Sequence, residues 1–318
     1  LTLLITESDV AKLLTYDDAL RSLEEAFNLL EEGQASNTPR TRTYSPVSAL
    51  SVQAASLRFL SGLKAYVTGK FPPNFVSLLF DGNTGDLLAI VESDRLGQMR
   101  TAAVSALAAK LMASDVSTVG IIGVGRQGIA QVEAFWHLLS PKIKIYSRTR
   151  DRLLKVREEM SKRGIDTSAA ESYREVCESG VIVTVTSSKD PFLKAEWVRP
   201  GTHVNLMGSN LPNKAEAFPD LIRNCDIIAV EDLAQAKAEA GDLILAEKLG
   251  MMDWRKVVEF SKVTSNRVRV RNNRREITSF KSVGIGLEDV AVLRVVYEKA
   301  KKEGLGQEIK VRGLWSPK

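Results

Sequence analysis

The stretch "VSTVGIIGVGRQGIAQ", residues 116–131, decides how this chain folds. It runs from a β-branched strand through a glycine-rich turn into the start of a helix. Gly123, Gly125 and Gly128 form G-x-G-x-x-G. The first glycine permits the tight turn, the second lets a diphosphate approach the backbone, and the third lets helix and strand pack closely. A helix starting at such a turn offers unbonded N–H groups and a partial positive charge to that diphosphate. The spacing alone is common; between a strand and a helix it predicts a dinucleotide-binding turn. Val124, Arg126 and Gln127 join the three glycines as candidate cofactor contacts.

The residues that follow repeat the strand–helix alternation. "KIKIYSR" reads as a second strand and "DRLLKVREEMSKRG" as a second helix, and "GVIVTVTSS", "GTHVNLMG" and "CDIIAVED" as further buried strands. Short connections between such units imply a doubly wound parallel sheet of Rossmann type. An NAD-binding chain places Asp or Glu about 20 residues beyond the glycines, for the ribose 2′-hydroxyl. Here Ser147, Arg148 and Thr149 occupy that place, with Arg152 just beyond. Hydroxyls and guanidinium groups suit a 2′-phosphate, which a carboxylate would repel. The expectation is NADP(H) in preference to NAD(H). Thr186, in "VTVTSS", is a further cofactor candidate.

Composition bounds the rest. With 318 residues, two domains are expected. Hydrophobic content of 44% and charged content of 26% are those of a soluble globular protein. No apolar run is long enough to span a membrane, and the first residues do not resemble a signal peptide. Cys177 and Cys225 lie far apart without a CxxC partner, and only His137 and His203 are present. These numbers leave no metal site and fit buried, reduced thiols of a cytoplasmic protein. The net charge of +5 is spread out, and its densest run is "SNRVRVRNNRREIT", residues 265–278. The alternation of "RVRVR" and the turn signal "NN" predict a solvated hairpin there. No nucleic-acid recognition motif accompanies it.

Before residue 100 the pattern differs. Residues 7–33 have helical apolar spacing with Gly33 as a stop. Residues 34–47 read as loop leading into strand. "FLSGLKAYVTG" reads as a strand, and "FVSLLFDGNTGDLLAIVES" as a hairpin around Asp81-Gly82. An alanine-rich helix follows over 95–114, and "GLEDVAVLRVVYEKAKKEG" forms another near the end.

Several motifs in order now resemble the ornithine cyclodeaminase/mu-crystallin family: "GLKAYVTG" (62–69), "LLFDGNTGDLLAIVESDRLGQMRTAAVSALAAK" (78–110), "GIIGVGRQG", "VTVTSSKDPFLKAEWVRPGTHVNLMGSNLPNKAEA" (183–217) and "ITSFKSVGIGLEDVA" (277–291). The resemblance implies an α/β architecture of two parts. Residues 1–103 and 284–318 would form an α+β domain for substrate binding and homodimerisation, and residues 104–283 the dinucleotide-binding domain. It implies chemistry at the α-carbon of amino and imino acids. Carried over by motif, Lys64 is the substrate lysine, Arg100 and Arg42 grip the substrate carboxylate, and Thr101 follows Arg100; Arg40 competes with Arg42. Phe280, Lys281 and Ser282 match the segment near the nicotinamide, and Lys281 and Ser282 are cofactor candidates. Asp232 could face the nicotinamide or cap the helix after it.

One departure matters. Where cyclodeaminases carry Asp in G-x-D-x-P-G-K, this chain reads "MGSNLPNK", with Asn210 at that position. An amide holds hydrogen bonds but takes no proton near neutral pH. The reading is therefore an NAD(P)H-dependent reductase of 2-imino acids, cyclic ketimines such as pyrroline- or piperideine-2-carboxylate, or an amino-acid dehydrogenase. Lys64 and Asn210 are its candidate catalytic residues. The alternatives are an ornithine cyclodeaminase and an NADPH-dependent small-ligand-binding protein.

Overall fold

The computed structural model describes residues 1–311. The chain divides into two compact units: Leu1–Arg100 with the segment from Ile285 onward, and Thr101–Gly284. The first division falls inside helix Asp94–Met112, immediately after Arg100.

The first unit is built on an eight-stranded mixed sheet. From one edge its strands run Gln307–Ile309, Thr2–Ile5, Leu87–Glu92, Phe75–Asp81, Leu60–Thr68 and Ala49–Leu57, the last pairing with both Ala35–Asn37 and Thr41–Tyr44. Only Thr2–Ile5 against Leu87–Glu92 is a parallel pair. Ala49–Leu57, nine residues long, is the strand into which the loop of residues 34–47 was expected to lead, though its extent was not read. Its "ALSVQAASL" alternates small and polar residues, which carries little strand signal; its pattern of burial shows alternation all the same. The segment read as loop holds the two short strands at 35–37 and 41–44.

Residues 7–33 form two helices, not one. Thr6 with Asp9, and Thr15 with Asp18, make successive capping boxes, and the backbone leaves the first helix at Leu14 in an extended conformation. The second helix, Tyr16–Glu31, packs on the C-terminal helix Gly286–Glu303, with ion pairs Arg294–Glu25 and Lys299–Asp18 at 2.5 Å. Gly286–Glu303 itself covers one face of the sheet. The approach is close: a Cβ on Gly62 would lie 2.8 Å from the Leu78 carbonyl oxygen and 3.0 Å from Val290 Cγ2.

The second unit is a sheet of eight parallel strands. Their order is Thr167–Ala169, Lys142–Tyr146, Thr118–Ile122, Val181–Thr184, His203–Leu206, Thr278–Lys281, Ile227–Val230 and Val257–Glu259. Alternate strand residues enter two separate cores, Ile182 and Val204 on one side, Val119, Val181 and Val183 on the other. This is the doubly wound arrangement that the alternation predicts. The basic run forms no hairpin. Arg271 turns inward instead, and its guanidinium donates to the carbonyls of Met112, Glu276 and Gly201 and to the Thr278 hydroxyl. Those carbonyls need a donor, and the arginine supplies several from one side chain.

The packing around Gly62 gives a direct test. Gly62→Ala should destabilise the first unit by about 1–3 kcal/mol, because the methyl meets backbone that cannot yield. Urea unfolding reads this as a lower midpoint; an unchanged midpoint would show slack between helix and sheet.

Candidate functional site

The glycine turn has the geometry its sequence demands. Gly123 sits at φ +111°, and a Cβ there would come within 2.7 Å of the Val185 carbonyl oxygen. A Cβ on Gly128 would overlap the Gly123 carbonyl oxygen. Gly125 differs: the nearest atom to its Cβ position is Arg152 Nη2, at 3.9 Å. The turn is thus closed toward the protein and open where a diphosphate approaches. Gly125 caps helix Arg126–Leu139 without a side-chain hydrogen bond, so the first-turn N–H groups keep their capacity for an anion. Strand Thr118–Ile122, which feeds the turn, has Lys142–Tyr146 on one side and Val181–Thr184 on the other. The chain order reverses there, and ligands bind outside the strand ends at such a point. These residues fit a dinucleotide.

At the tip of strand Lys142–Tyr146, Ser147 is half-buried and its hydroxyl accepts the Thr149 N–H at 3.3 Å. Arg148, Thr149 and Arg152 are exposed. Tyr146 packs against Tyr173 with ring centroids 4.6 Å apart. Thr186 is half-buried and donates both its N–H and its hydroxyl to Glu216. Lys281 and Ser282 have internal partners: Lys281 Nζ meets Asp242 and the Ser209 carbonyl, and the Ser282 hydroxyl donates to Glu231. Asn210 is exposed in the loop after strand His203–Leu206. Asp232 caps helix Leu233–Glu239 by accepting the Gln235 N–H. His137 is exposed, whereas His203 is fully buried between Thr278 and Asn205, and burial pushes its pKa down to about 3. Both cysteines are buried and free, and burial pushes each thiol up to about 12. Among the described residues no cluster of His, Cys, Asp or Glu could hold a metal.

The first unit carries a second constellation. Lys64 lies on strand Leu60–Thr68, with Gln53 and Ser77 as its cross-strand neighbours. Its ammonium, almost wholly buried, contacts both oxygens of Asp289, at 2.8 and 2.7 Å. Arg100 Nε donates to the same carboxylate at 3.0 Å, and Arg100 Nη1 pairs with Glu288. Both carboxylates belong to the first turn of helix Gly286–Glu303, where the helix dipole favours negative charge. Arg42 pairs with Ser51 and so shares the sheet face of Lys64. The charge of Arg40 also acts on Lys64. Thr101 follows Arg100 on the same helix, half-buried.

Burial, then the charge of Arg100, lowers the Lys64 pKa to about 8 against the pull of Asp289. For Asp289, burial pushes upward, but Arg100 and Lys64 outweigh it and hold the carboxyl below its usual value. The result is a buried lysine that is protonated at neutral pH yet close to giving its proton up. Sequence reasoning missed Glu288 and Asp289. Acidic residues in a helix's first turn are ordinary, and "GLED" by itself carries no sign of the two distant cations.

The chain as a whole is similar to known proteins. Residues 2–304 match the profile of the ornithine cyclodeaminase/mu-crystallin family. An alanine dehydrogenase of Archaeoglobus fulgidus is 32% identical over 97% of this chain and 98% of its own length. Among solved structures, an archaeal alanine dehydrogenase dimer with bound NAD superposes with a TM-score of 0.91 at 32% identity, covering 97% of this chain and 99% of that one. The Delta(1)-pyrroline-2-carboxylate reductase of Thermococcus litoralis, in complex with NADH and L-proline, also has a TM-score of 0.91, at 30% identity over 97% and 100% of the two chains. With a family match running almost end to end and a relative 32% identical over its length, the chain belongs to the ornithine cyclodeaminase/mu-crystallin family.

Proposed function

We propose that the protein is an NAD(P)-dependent oxidoreductase that reduces 2-imino acids to amino acids and runs in reverse as an amino-acid dehydrogenase. Cyclic ketimines of the pyrroline- and piperideine-2-carboxylate type are the favoured substrates. The observation that carries this reading is the Lys64–Asp289–Arg100 cluster, two buried cations held in fixed geometry on one side of a sheet. Bound dinucleotide supplies the hydride for the imine carbon. The first unit's residues do the rest. Arg100, with Arg42 on strand Thr41–Tyr44 and Arg40 just before it, attracts and orients the substrate carboxylate, and orientation is a large share of such a barrier. Lys64 supplies the proton that the nitrogen needs as C=N becomes CH–NH, and Asp289 keeps the ammonium aimed. Asn210 is a neutral hydrogen-bonding contact, which suits a reductase and disfavours the proton transfers of cyclodeamination.

The relatives with bound cofactor hold NAD or NADH. For this chain we favour NADP(H), because Ser147, Arg148, Thr149 and Arg152 stand where a carboxylate would select NAD(H). A homodimer is also part of this reading. The sheet face opposite Lys64 carries Val52, Leu63, Val67, Val76, Leu78 and Ile90, none of them buried in the single chain. Such a face calls for a cover, and the archaeal alanine dehydrogenase is a dimer. Among the described residues no helix is long and apolar enough to cross a membrane. The two buried, reduced thiols fit a cytoplasmic setting.

Absorbance at 340 nm tests the activity. With pyrroline-2-carboxylate or piperideine-2-carboxylate, NADPH should be consumed faster than NADH. Turnover with pyruvate and ammonia alone would move the substrate to alanine; ammonia and proline from ornithine, without net NADPH loss, would establish cyclodeamination. The Arg148→Ala/Arg152→Ala double variant should lose about tenfold or more of its NADPH preference, the worth of one charge-assisted contact. Gly128→Ala, whose methyl has no room beside Gly123, should abolish dinucleotide binding in a fluorescence titration.

The Lys64 pKa fixes two pH dependences. Imine reduction should decline as pH rises through about 8, where the proton donor is lost. Stability runs the other way. The unfolded lysine, near 10.5, binds its proton more tightly than the folded one, so Lys64 costs stability below about 8 and that cost fades between about 8 and 10.5. Lys64→Met should remove the rate limb and flatten that part of the stability profile; persistence of the limb would assign it to another group.

A further inference from the structure

A buried carboxylate that none of these steps uses lies at the carboxyl edge of the parallel sheet. Glu216 is fully buried. Its Oε1 accepts the N–H and the hydroxyl of Thr186, both at 2.7 Å. Its Oε2 accepts the Thr184 hydroxyl at 2.7 Å and the Gly208 N–H at 2.8 Å. Thr184 ends one strand, and Gly208 lies just past the end of the strand paired with it. One side chain therefore ties together the two loops that leave neighbouring strands. A Cβ on Gly208 would overlap both Glu216 Oε1 and the Thr186 carbonyl oxygen, so the glycine there is what admits the carboxylate.

Glu216 is itself held from behind. Asp242 Oδ1 accepts the N–H groups of Glu216 and Ala217 at 2.6 and 2.9 Å. Lys281 Nζ stands 2.9 Å from Asp242 Oδ2 and donates to the Ser209 carbonyl at 2.6 Å. The chain of contacts runs from Lys281 through Asp242 to Glu216, and from there to two loops. The first loop also abuts the glycine turn, since Val185 limits the space at Gly123. The second carries Asn210.

We propose that Glu216 is a positioning residue for the dinucleotide, fixing the loops of Thr186 and Asn210 where the cofactor's reacting end meets the sheet edge. This rests on the dinucleotide reading of the glycine turn. The arrangement requires an acceptor on both sides, because each carboxylate oxygen faces a main-chain N–H that cannot rotate away. A glutamine of the same size fails whichever way its amide is turned: either Thr186 or Gly208 then points its N–H at an NH2 group. An aspartate keeps both acceptors at shorter reach. Lys281, expected from the sequence to touch the cofactor, acts through Asp242 and Glu216 in this scheme.

The test is direct titration of NADPH and NADH by fluorescence, with unfolding temperatures measured in parallel. The variants are Glu216→Gln, Glu216→Asp and a core control, Ile228→Val, in the same unit. Glu216→Gln should weaken dinucleotide binding about tenfold or more, the scale of one buried N–H left unsatisfied. Glu216→Asp should fall between it and the wild type, and Ile228→Val should lose stability with unchanged affinity. A Glu216→Gln protein that melts earlier but binds NADPH as the wild type does would reduce Glu216 to a structural prop and overturn the proposal. Should Glu216→Gln fail to fold, Glu216→Asp decides: weakened binding supports the proposal and unchanged binding overturns it. A wild-type protein that binds neither dinucleotide would instead sink the cofactor reading, and this inference with it.

Discussion

A lysine and an arginine cannot leave water unaccompanied. Lys64 and Arg100 do so because Asp289 and Glu288 arrive with them, on the first turn of one helix. The two carboxylates offset part of the cost of taking the cations out of water, and for Lys64 burial still outweighs them, so that its pKa falls to about 8. The interaction therefore constrains everything near it. The C-terminal helix must lie flat on the sheet, which is why Gly62 and Gly286 have no room for a side chain. The sheet must present a polar row, Gln53, Lys64 and Ser77, on the face that this helix covers. What emerges is a pair of desolvated cations held in fixed geometry by two carboxylates; on the function proposed above, that field is set before a substrate arrives.

The second unit solves a different problem by backbone means. Its turn binds by having nothing in the way: no side chain at Gly125, no methyl at Gly128, a positive φ at Gly123. Arg126 stands within the turn, and Arg148 and Arg152 are exposed beside it. The two units thus differ in kind, buried ions in one and vacant backbone in the other.

The two differ equally in how legible they are in the sequence. The glycine turn, the parallel strands and the hairpin at 75–93 are local patterns, set by neighbours a few residues apart, and reading outward from 116–131 finds them. Lys64 and Arg100 emerged only through motif resemblance, since a lone lysine on a strand and a lone arginine on a helix look like surface charges. Asp289 lies 225 residues from Lys64, and no local signal joins them. The break at Leu14 and the inward turn of Arg271 were missed for related reasons. Two capping boxes fit inside one helical apolar pattern, and an alternating basic run gives no hint that one of its arginines serves distant carbonyls. Glu216 is the extreme case, an unremarked residue in "NKAEA" whose partners come from three separate segments.

The discontinuity of the first unit has a consequence for how the protein is made. During synthesis the strands between residues 35 and 92 emerge early, yet the helix that covers them begins at Gly286. The intervening Thr101–Gly284 forms a complete unit of its own. The nascent chain therefore finishes its second unit while the first is an open half-shell, with one apolar sheet face awaiting a helix and a lysine awaiting its counter-ion. Contacts of such long sequence separation close slowly, and chains in that state are prone to aggregation. The first unit closes only when helix Gly286–Glu303, and strand Gln307–Ile309 behind it, have arrived.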